Sequence, residues 1–324
     1  MKYTVKKISL ASISLLAAAL CCLVAWRLVP PSADGIRESA VIVEQAAWQE
    51  VCADGKPLLY FSSAAGDSAL LGVTANRDSA LHRRRIAGCW INRWAVIPSC
   101  EGRILTARMA APRAPRVKGD TAILAMCRAS VARQLATLKA QKSELDYYLR
   151  VHGVQDNGYQ TIAALAARLN RTYDDVARAG RLIDSVAAGK GHRLAIRAAV
   201  GYAAIFRDDS ARIVRKPLHL LAAGNSGKTM TLQTADRTTP PTATPLSPLP
   251  WQRDRERDIR AVGFPGLGEQ GLECDTISPV IIPGRRLRGA RHDFPRILVS
   301  DGSPVFTAGG MFLGITAGDN IASK

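Results

Sequence analysis

Aromatic side chains make up only 6% of the 324 residues, while hydrophobic residues overall reach 47%. A buried core is therefore affordable, but it has to rest on Ala, Val, Ile and Leu. None of the basic clusters is interleaved with aromatics, which argues against a stacking platform for nucleic-acid bases. The 5 histidines are scattered and no CxxC spacing occurs, so no metal site is expected. Acidic residues are scarce too: 27 Asp and Glu stand against 44 Lys and Arg, for a net charge of +17. That balance favours anionic partners such as lipid headgroups, envelope polymers or acidic proteins, unless it only solvates the surface. Basic residues concentrate at 82–85, at 253–260 with acids interleaved, and at 285–291. Internal repeats are absent.

The N-terminus is a distinct segment. Lys2, Lys6 and Lys7 precede an apolar run over residues 8–26, which is closed by Arg27 and the breaker pair Pro30 and Pro31. At helical rise such a run reaches roughly 28 Å, close to the hydrocarbon thickness of a bilayer. The basic flank keeps its own end in the cytoplasm and places the body outside. Cleavage sites near Ala19 and Ala33 are poor, and Leu20 stands where a lipoprotein needs a small residue before Cys21. The expectation is an uncleaved anchor over residues 1–30, with a cleaved signal as the alternative. Beyond it lie Cys52, Cys89, Cys100, Cys127 and Cys274, an odd set in which Cys89 and Cys100 flank a short hairpin and form the favoured pair.

Residues 36–114 alternate short apolar runs with turn residues and read as β structure, with strands near 57–62, 69–73, 86–91 and 103–107. The pattern changes at Gly119. Ile123, Leu124, Cys127, Val131, Leu135, Leu138 and Leu145 recur by threes and fours, which predicts a helix over residues 120–151 with Asp120 as its N-cap. A second helix is predicted over 161–188, ended by Gly189, and the pair makes an antiparallel hairpin. Strands return at 194–206, 217–223, 229–234, 259–264, 277–282, 295–299, 305–306 and 312–316, interrupted by a Pro/Thr-rich connector at 238–250.

Three segments carry a resemblance. Gly88, Cys89, Trp90 and Ile91 are followed by the run from Gly102 to Ala110, GRILTARMA. Asp258 to Gly266 reads DIRAVGFPG. Asp301 to Phe306 reads DGSPVF and is followed by Gly310 to Ile315, GMFLGI. In that order they are similar to segments of the trypsin-like serine protease family, whose motifs read G-x-I-L-T-N-x-H-V, V-x-A-v-G-y-P and G-x-S-G-S-P-V-F. The resemblance implies a mostly β fold: a trypsin-like double β-barrel over residues 36–118 and 193–324, each barrel six-stranded. The helical hairpin at 119–191 is an insertion, and a transmembrane helix precedes the whole.

That family's mechanism needs a nucleophilic hydroxyl, an imidazole to take its proton and a carboxylate to orient the imidazole. Residue by residue, the resemblance puts Met109 at the histidine position, Asp301 at the nucleophile position and Lys228 at the acid position. Val299 replaces the glycine that shapes the oxyanion turn. The chain is thus expected to lack the triad, with Ser300 as the fallback nucleophile and His219 and His292 read as structural. Ala222 to Thr229 satisfies a relaxed P-loop pattern, but strand-like residues follow where a phosphate-binding helix is needed, so a hairpin turn is predicted and no cofactor. The resulting expectation is a membrane-tethered, extracytoplasmic pseudoprotease that binds or scaffolds a protein partner. The competing readings are an active serine peptidase with a shifted site and a basic protein that binds anionic envelope polymers.

Overall fold

The computed structural model describes residues 12, 14, 15, 17, 18, 30–94, 99–189, 191–224, 227–247, 257–267 and 278–322. Apart from isolated helical residues such as Ser12 and Leu15, the anchor expected over residues 1–30 lies outside them. Among the described residues no helix is long and apolar enough to cross a membrane. The chain divides into two compact units, one holding the residues up to Gln45, Arg84–Met109 and those from Gly201 on, the other Ala46–Arg83 and Ala110–Val200.

The first unit is built on a closed barrel. Its strands are β1 (Ala40–Ala53), β5 (His82–Ile91), β6 (Arg103–Ala107), β7 (Leu194–Arg207), β8 (Ile213–Ala223) and β9 (Thr229–Thr234), of which β1 after Gln45, β5 before Arg84 and β7 before Gly201 run on into the second unit. They run in the order β1-β5-β6-β9-β8-β7, and a β1–β7 pairing closes the ring. The architecture is mostly β, as expected. Alternation fills the barrel: Val41, Val43, Ile86, Trp90, Ile104, Leu218, Met230 and Leu232 share one core. The odd neighbours on β5, Cys89 and Ile91, fall on the opposite face and pack with Leu105, Val262 and Phe306. Period-two geometry makes this division obligatory. Helix α1 (Ala33–Glu38) precedes β1, capped by the Ser32 hydroxyl, which accepts from the Gly35 N–H.

The same unit carries β10 (Asp258–Gly263), β11 (Val280–Arg285), β12 (Pro304–Thr307), β13 (Phe312–Ala317) and β14 (Asn320–Ala322). These form an antiparallel sheet in the order β11-β10-β12-β13-β14. The expected second six-stranded barrel is therefore, among the described residues, a five-stranded sheet. One reason is local. Residues 295–299 were expected as a strand, yet the N–H groups of Leu298 and Val299 both donate to the Pro295 carbonyl at 3.0 Å. Pro295 fixes its own φ and offers no N–H to a ladder, so the segment coils into a turn.

The second unit contains β2 (Lys56–Phe61), β3 (Ser63–Ala65), β4 (Ala69–Leu71), the short helix α2 (Arg77–Ala80) and the long helices α3 (Asp120–Val151) and α4 (Tyr159–Ala188). The hairpin was expected over 120–151 and 161–188; the first helix has those bounds and the second begins two residues earlier, at Tyr159. The hairpin's role is more than that of an appendage, because Ile123, Cys127, Val131, Val176 and Ile183 share a core with Val51, Leu59, Phe61, Leu70 and Val73. Ser130 Oγ accepts from the Leu70 N–H at 2.9 Å, and Gln134 Oε1 from the Val73 N–H at 2.8 Å. Asp120 does not cap α3. Gly119 holds the cap position at φ +91°, and the Asp120 carboxylate instead accepts from the Leu194 N–H at 2.9 Å.

Two further expectations are settled by geometry. Cys89 and Cys100 are both free thiols, the first buried and the second exposed, so they are not bridged. Cys89 faces a packed core rather than the loop that carries Cys100. The P-loop-like stretch is a hairpin turn between antiparallel β8 and β9, closed by Gly224 N–H donating to Thr229 O and Gly227 N–H to Gly224 O, each at 2.9 Å.

Candidate functional site

Met109, Lys228 and the 299–303 segment come together at the C-terminal end of β6. Ala107 pairs with Thr229 across the β6–β9 ladder. One residue on, the Arg108 N–H donates to the Lys228 carbonyl at 2.8 Å. Met109 follows, only 3% exposed, with its side chain in the barrel core beside Val41 and Met230. Lys228 is exposed. The histidine and acid positions inferred from the sequence are thus neighbours in space. One holds a thioether turned into the barrel, the other an exposed lysine. Neither can take or orient a proton as an imidazole–carboxylate pair does.

The third position sits against the same strands. The Ala87 N–H on β5 donates both to the Asp301 carbonyl at 3.0 Å and to Ser300 Oγ at 3.2 Å. Gly302 adopts φ +85°, and a Cβ there would lie 1.9 Å from the Ala87 carbonyl oxygen. Only glycine allows this approach. The Thr106 hydroxyl donates to that same carbonyl at 2.6 Å. From the other side, Thr316 on β13 holds the turn: its hydroxyl donates to the Ser300 carbonyl at 2.7 Å, and its carbonyl accepts from the Gly302 N–H at 2.8 Å.

These bonds set the chemistry of each group. Asp301 is half-buried, and its Oδ1 accepts from the Gly318 N–H at 2.8 Å, so the carboxylate is tied to the β13–β14 turn. The Ser300 hydroxyl lies 3.5 Å from the Asp301 carbonyl, and its partners are backbone groups. Neither of those backbone groups can remove its proton. Val299, where the family places an oxyanion glycine, is buried, and its N–H is spent on the Pro295 carbonyl at 3.0 Å. A donor committed to a turn of its own chain is not aimed at a substrate oxygen. Ser303, buried in the same turn, has an Oγ without a hydrogen-bond partner.

The histidines supply no replacement. His219 is exposed on β8, opposite Gln233 on β9. His292 lies nearer the turn, but Nε2 is 3.1 Å from the Gly318 carbonyl and Nδ1 accepts from the Phe294 N–H at 3.3 Å. Those partners fix the neutral ring with its proton on Nε2. Burial holds its pKa below the ordinary histidine value, against the opposing pull of the Gly318 carbonyl and of Asp319, Asp293 and Asp301. Among the described residues no group of three or more His, Cys, Asp or Glu side chains could hold a metal ion.

Met109, Lys228, Ser300 and Asp301 are the residues that the sequence pointed to. Sequence reasoning missed the contribution of the 295–299 turn, although Pro295 was a visible signal against a strand, and it missed Ala87 as the group that anchors Ser300.

No protein-family model and no curated protein matches the sequence. Among solved structures the chain is similar to Deg5, at 8% identity and a TM-score of 0.33, covering 92% of this chain and 84% of that one. It is also similar to the MamO protease domain from Magnetospirillum magneticum, at 14% identity and a TM-score of 0.25, covering 37% of this chain and 68% of that one. Both likenesses are loose, and the description of the fold rests on the strand order and the hydrogen bonds given above.

Proposed function

We propose that this chain is a catalytically silent member of the trypsin-like fold, working as a binding or scaffolding module held at the cell envelope by its N-terminal segment. The observation that carries the reading is the bond from the Val299 N–H to the Pro295 carbonyl at 3.0 Å, which closes the position where an oxyanion donor would stand. Met109 in the barrel core and the backbone partners of Ser300 support it. General base catalysis typically contributes ~10²–10⁴-fold, and here the base, the nucleophile and an oxyanion donor are all replaced or engaged elsewhere. A protein that keeps the fold while losing the chemistry has its surface left to work with. The envelope location is proposed from the basic flank and the apolar run over residues 8–26.

The test is covalent labelling by a fluorophosphonate serine-hydrolase probe, with casein turnover measured in parallel. No labelling and no turnover are expected. Met109→His combined with Asp301→Ser should remain inert as well, because Val299 and Lys228 still occupy the oxyanion and acid positions. Labelling of the wild-type chain that Ser300→Ala abolishes would overturn the proposal and make Ser300 a nucleophile.

A further inference from the structure

The described end of the first basic run, residues 257–260, meets the second run, 285–291, in the structure. Antiparallel pairing of β10 with β11 sets Asp258 against Arg285 and Arg260 against Pro283. The ladder continues past the strands, where the Arg286 N–H donates to the Arg257 carbonyl at 2.7 Å. Beyond it the chain turns back on itself: the Leu287 N–H donates to the Arg291 carbonyl at 2.9 Å, and Gly289 at the tip has φ +74° with open space around it. Arg257, Arg260, Arg285, Arg288 and Arg291 are exposed, and Arg286 is half-buried.

Among the described residues the acids facing this group are few. Asp258 lies 3.9 Å from Arg285, both side chains being more than three-quarters exposed at 79% and 76%. Asp293 accepts from the Arg285 backbone N–H at 2.6 Å, and Asp319 is paired with Arg296 at 2.8 Å. Like charges gathered this closely repel one another, and an anionic partner relieves that repulsion. Leu287 stands between Arg286 and Arg288 with 44% of its surface exposed. A dissolved polyanion gives an exposed leucine nothing to bury against. An apolar residue flanked by arginines fits a flat anionic surface, with the guanidinium groups at headgroup phosphates and the leucine at the acyl boundary.

We propose that the Arg285–Arg291 hairpin tip, with Arg257 and Arg260 beside it, is a docking surface for an anionic phospholipid bilayer. This stands apart from the chemistry of the Ser300–Gly302 turn and does not depend on it. Each arginine held near such a surface adds about fivefold to partition, and the attraction decays within a Debye length.

Partition of the full chain is to be measured by flotation with neutral phosphatidylcholine vesicles and with vesicles containing phosphatidylglycerol. The neutral vesicles report the apolar N-terminal segment, and the gain on adding phosphatidylglycerol reports charge. The gain is expected to be tenfold or more, on the order set by several arginines. Raised salt should erase it, Arg285→Glu with Arg288→Glu should abolish it, and Arg168→Glu with Arg171→Glu on α4, which carries the same change of charge, should keep it. Leu287→Asp should cut the gain and Leu287→Phe should preserve it. Equal loss in the α4 control would overturn the proposal in favour of general charge attraction. A gain untouched by Leu287→Asp and removed by soluble polyphosphate would overturn it in favour of a dissolved polyanion. Circular dichroism of each variant separates lost docking from lost folding.

Discussion

The helical unit and the barrel unit solve the same packing problem by different means. In the helical unit α3 and α4 each bury a stripe written at helical spacing, and the short strands β2 and β4 are covered by that stripe through Leu59, Phe61 and Leu70. In the barrel unit the core residues come from six strands that are distant in sequence, with Val41 meeting Trp90, Leu218 and Leu232. The helical core depends mainly on local order and the barrel core on long-range pairing. The contrast also divides the hairpin itself. Every buried residue of α3 lies at or before Leu138, whereas Tyr147 and Val151 near its far end are 64% and 56% exposed. The proximal half belongs to a core, and the distal half adds no buried residue to it.

The largest effect that could break this comparison comes from core truncation. Ile183→Ala in the helical core and Leu232→Ala in the barrel core, both at fully buried sites, should each cost about 2–5 kcal/mol. Hydrogen exchange read by mass spectrometry should show Ile183→Ala loosening residues 46–83 and both helices while β6 and β9 keep their protection, and Leu232→Ala doing the reverse. Equal loosening of both regions by either variant would merge the two units into one cooperative body.

A smaller effect sharpens the barrel side. Glu44 on β1 is 1% exposed and pairs with Arg85 on β5 at 2.9 Å and with Arg215 on β8 at 2.5 Å. The two arginines are partly exposed and can hydrate alone, whereas the buried carboxylate cannot. Removing both cations with Arg85→Ala and Arg215→Ala should therefore destabilise by about 3 kcal/mol, and Glu44→Gln by less. Urea midpoints at neutral pH check the order. If Glu44→Gln is the more damaging, the carboxylate is not the group that needs its partners.

The smallest expected effect is acid sensitivity, which each unit carries in its own loop. Asp236 in the barrel unit is held below the ordinary carboxylate range, chiefly by the hydrogen bond from Lys216 at 2.7 Å. Asp54 in the helical unit is held down chiefly by its bond with His192. A depressed folded-state pKa adds stability that is fully present above the unfolded value of about 3.9 and is lost as pH falls below it. Asp236→Asn should flatten the fall of the urea midpoint below about pH 4 for the barrel, and Asp54→Asn for the helical unit. Both carboxylates are largely exposed to solvent, so the change is expected to be slight. An unchanged pH slope in both variants would remove these bonds from the account of acid stability.

The legibility of the sequence followed the same division. The helix bounds could be read because apolar residues recur every three or four positions, and that period survives in a single sequence. The runs at 86–91 and 103–107 were legible as strands from their β-branched and aromatic content. The long strand β1 (Ala40–Ala53) was not singled out, because Glu44, Gln45, Gln49 and Glu50 interrupt its apolar run. The cation partners of Glu44, Arg85 and Arg215, help make its burial acceptable, and they come from strands further along the chain. At the candidate site the residue types at positions 109, 228 and 301 were plain. The use of the Val299 N–H within a turn was not, since it depends on where Pro295 points its carbonyl.

By itself the sequence determined which residues can do chemistry. It set a methionine, a lysine and an aspartate at positions 109, 228 and 301, the side chains on which the proposed function rests. It also determined the two long helices, because their stabilising contacts begin between residues three and four apart. Only the tertiary structure decided that Cys89 faces a core and leaves Cys100 unbridged, and that the hairpin shares its core with residues 51–73. It decided as well that two separated arginine runs form one patch at the β10–β11 end. Each of those outcomes rests on strand register, and register is set by partners far along the chain. A shift of one residue would send every side chain of a strand to the other face.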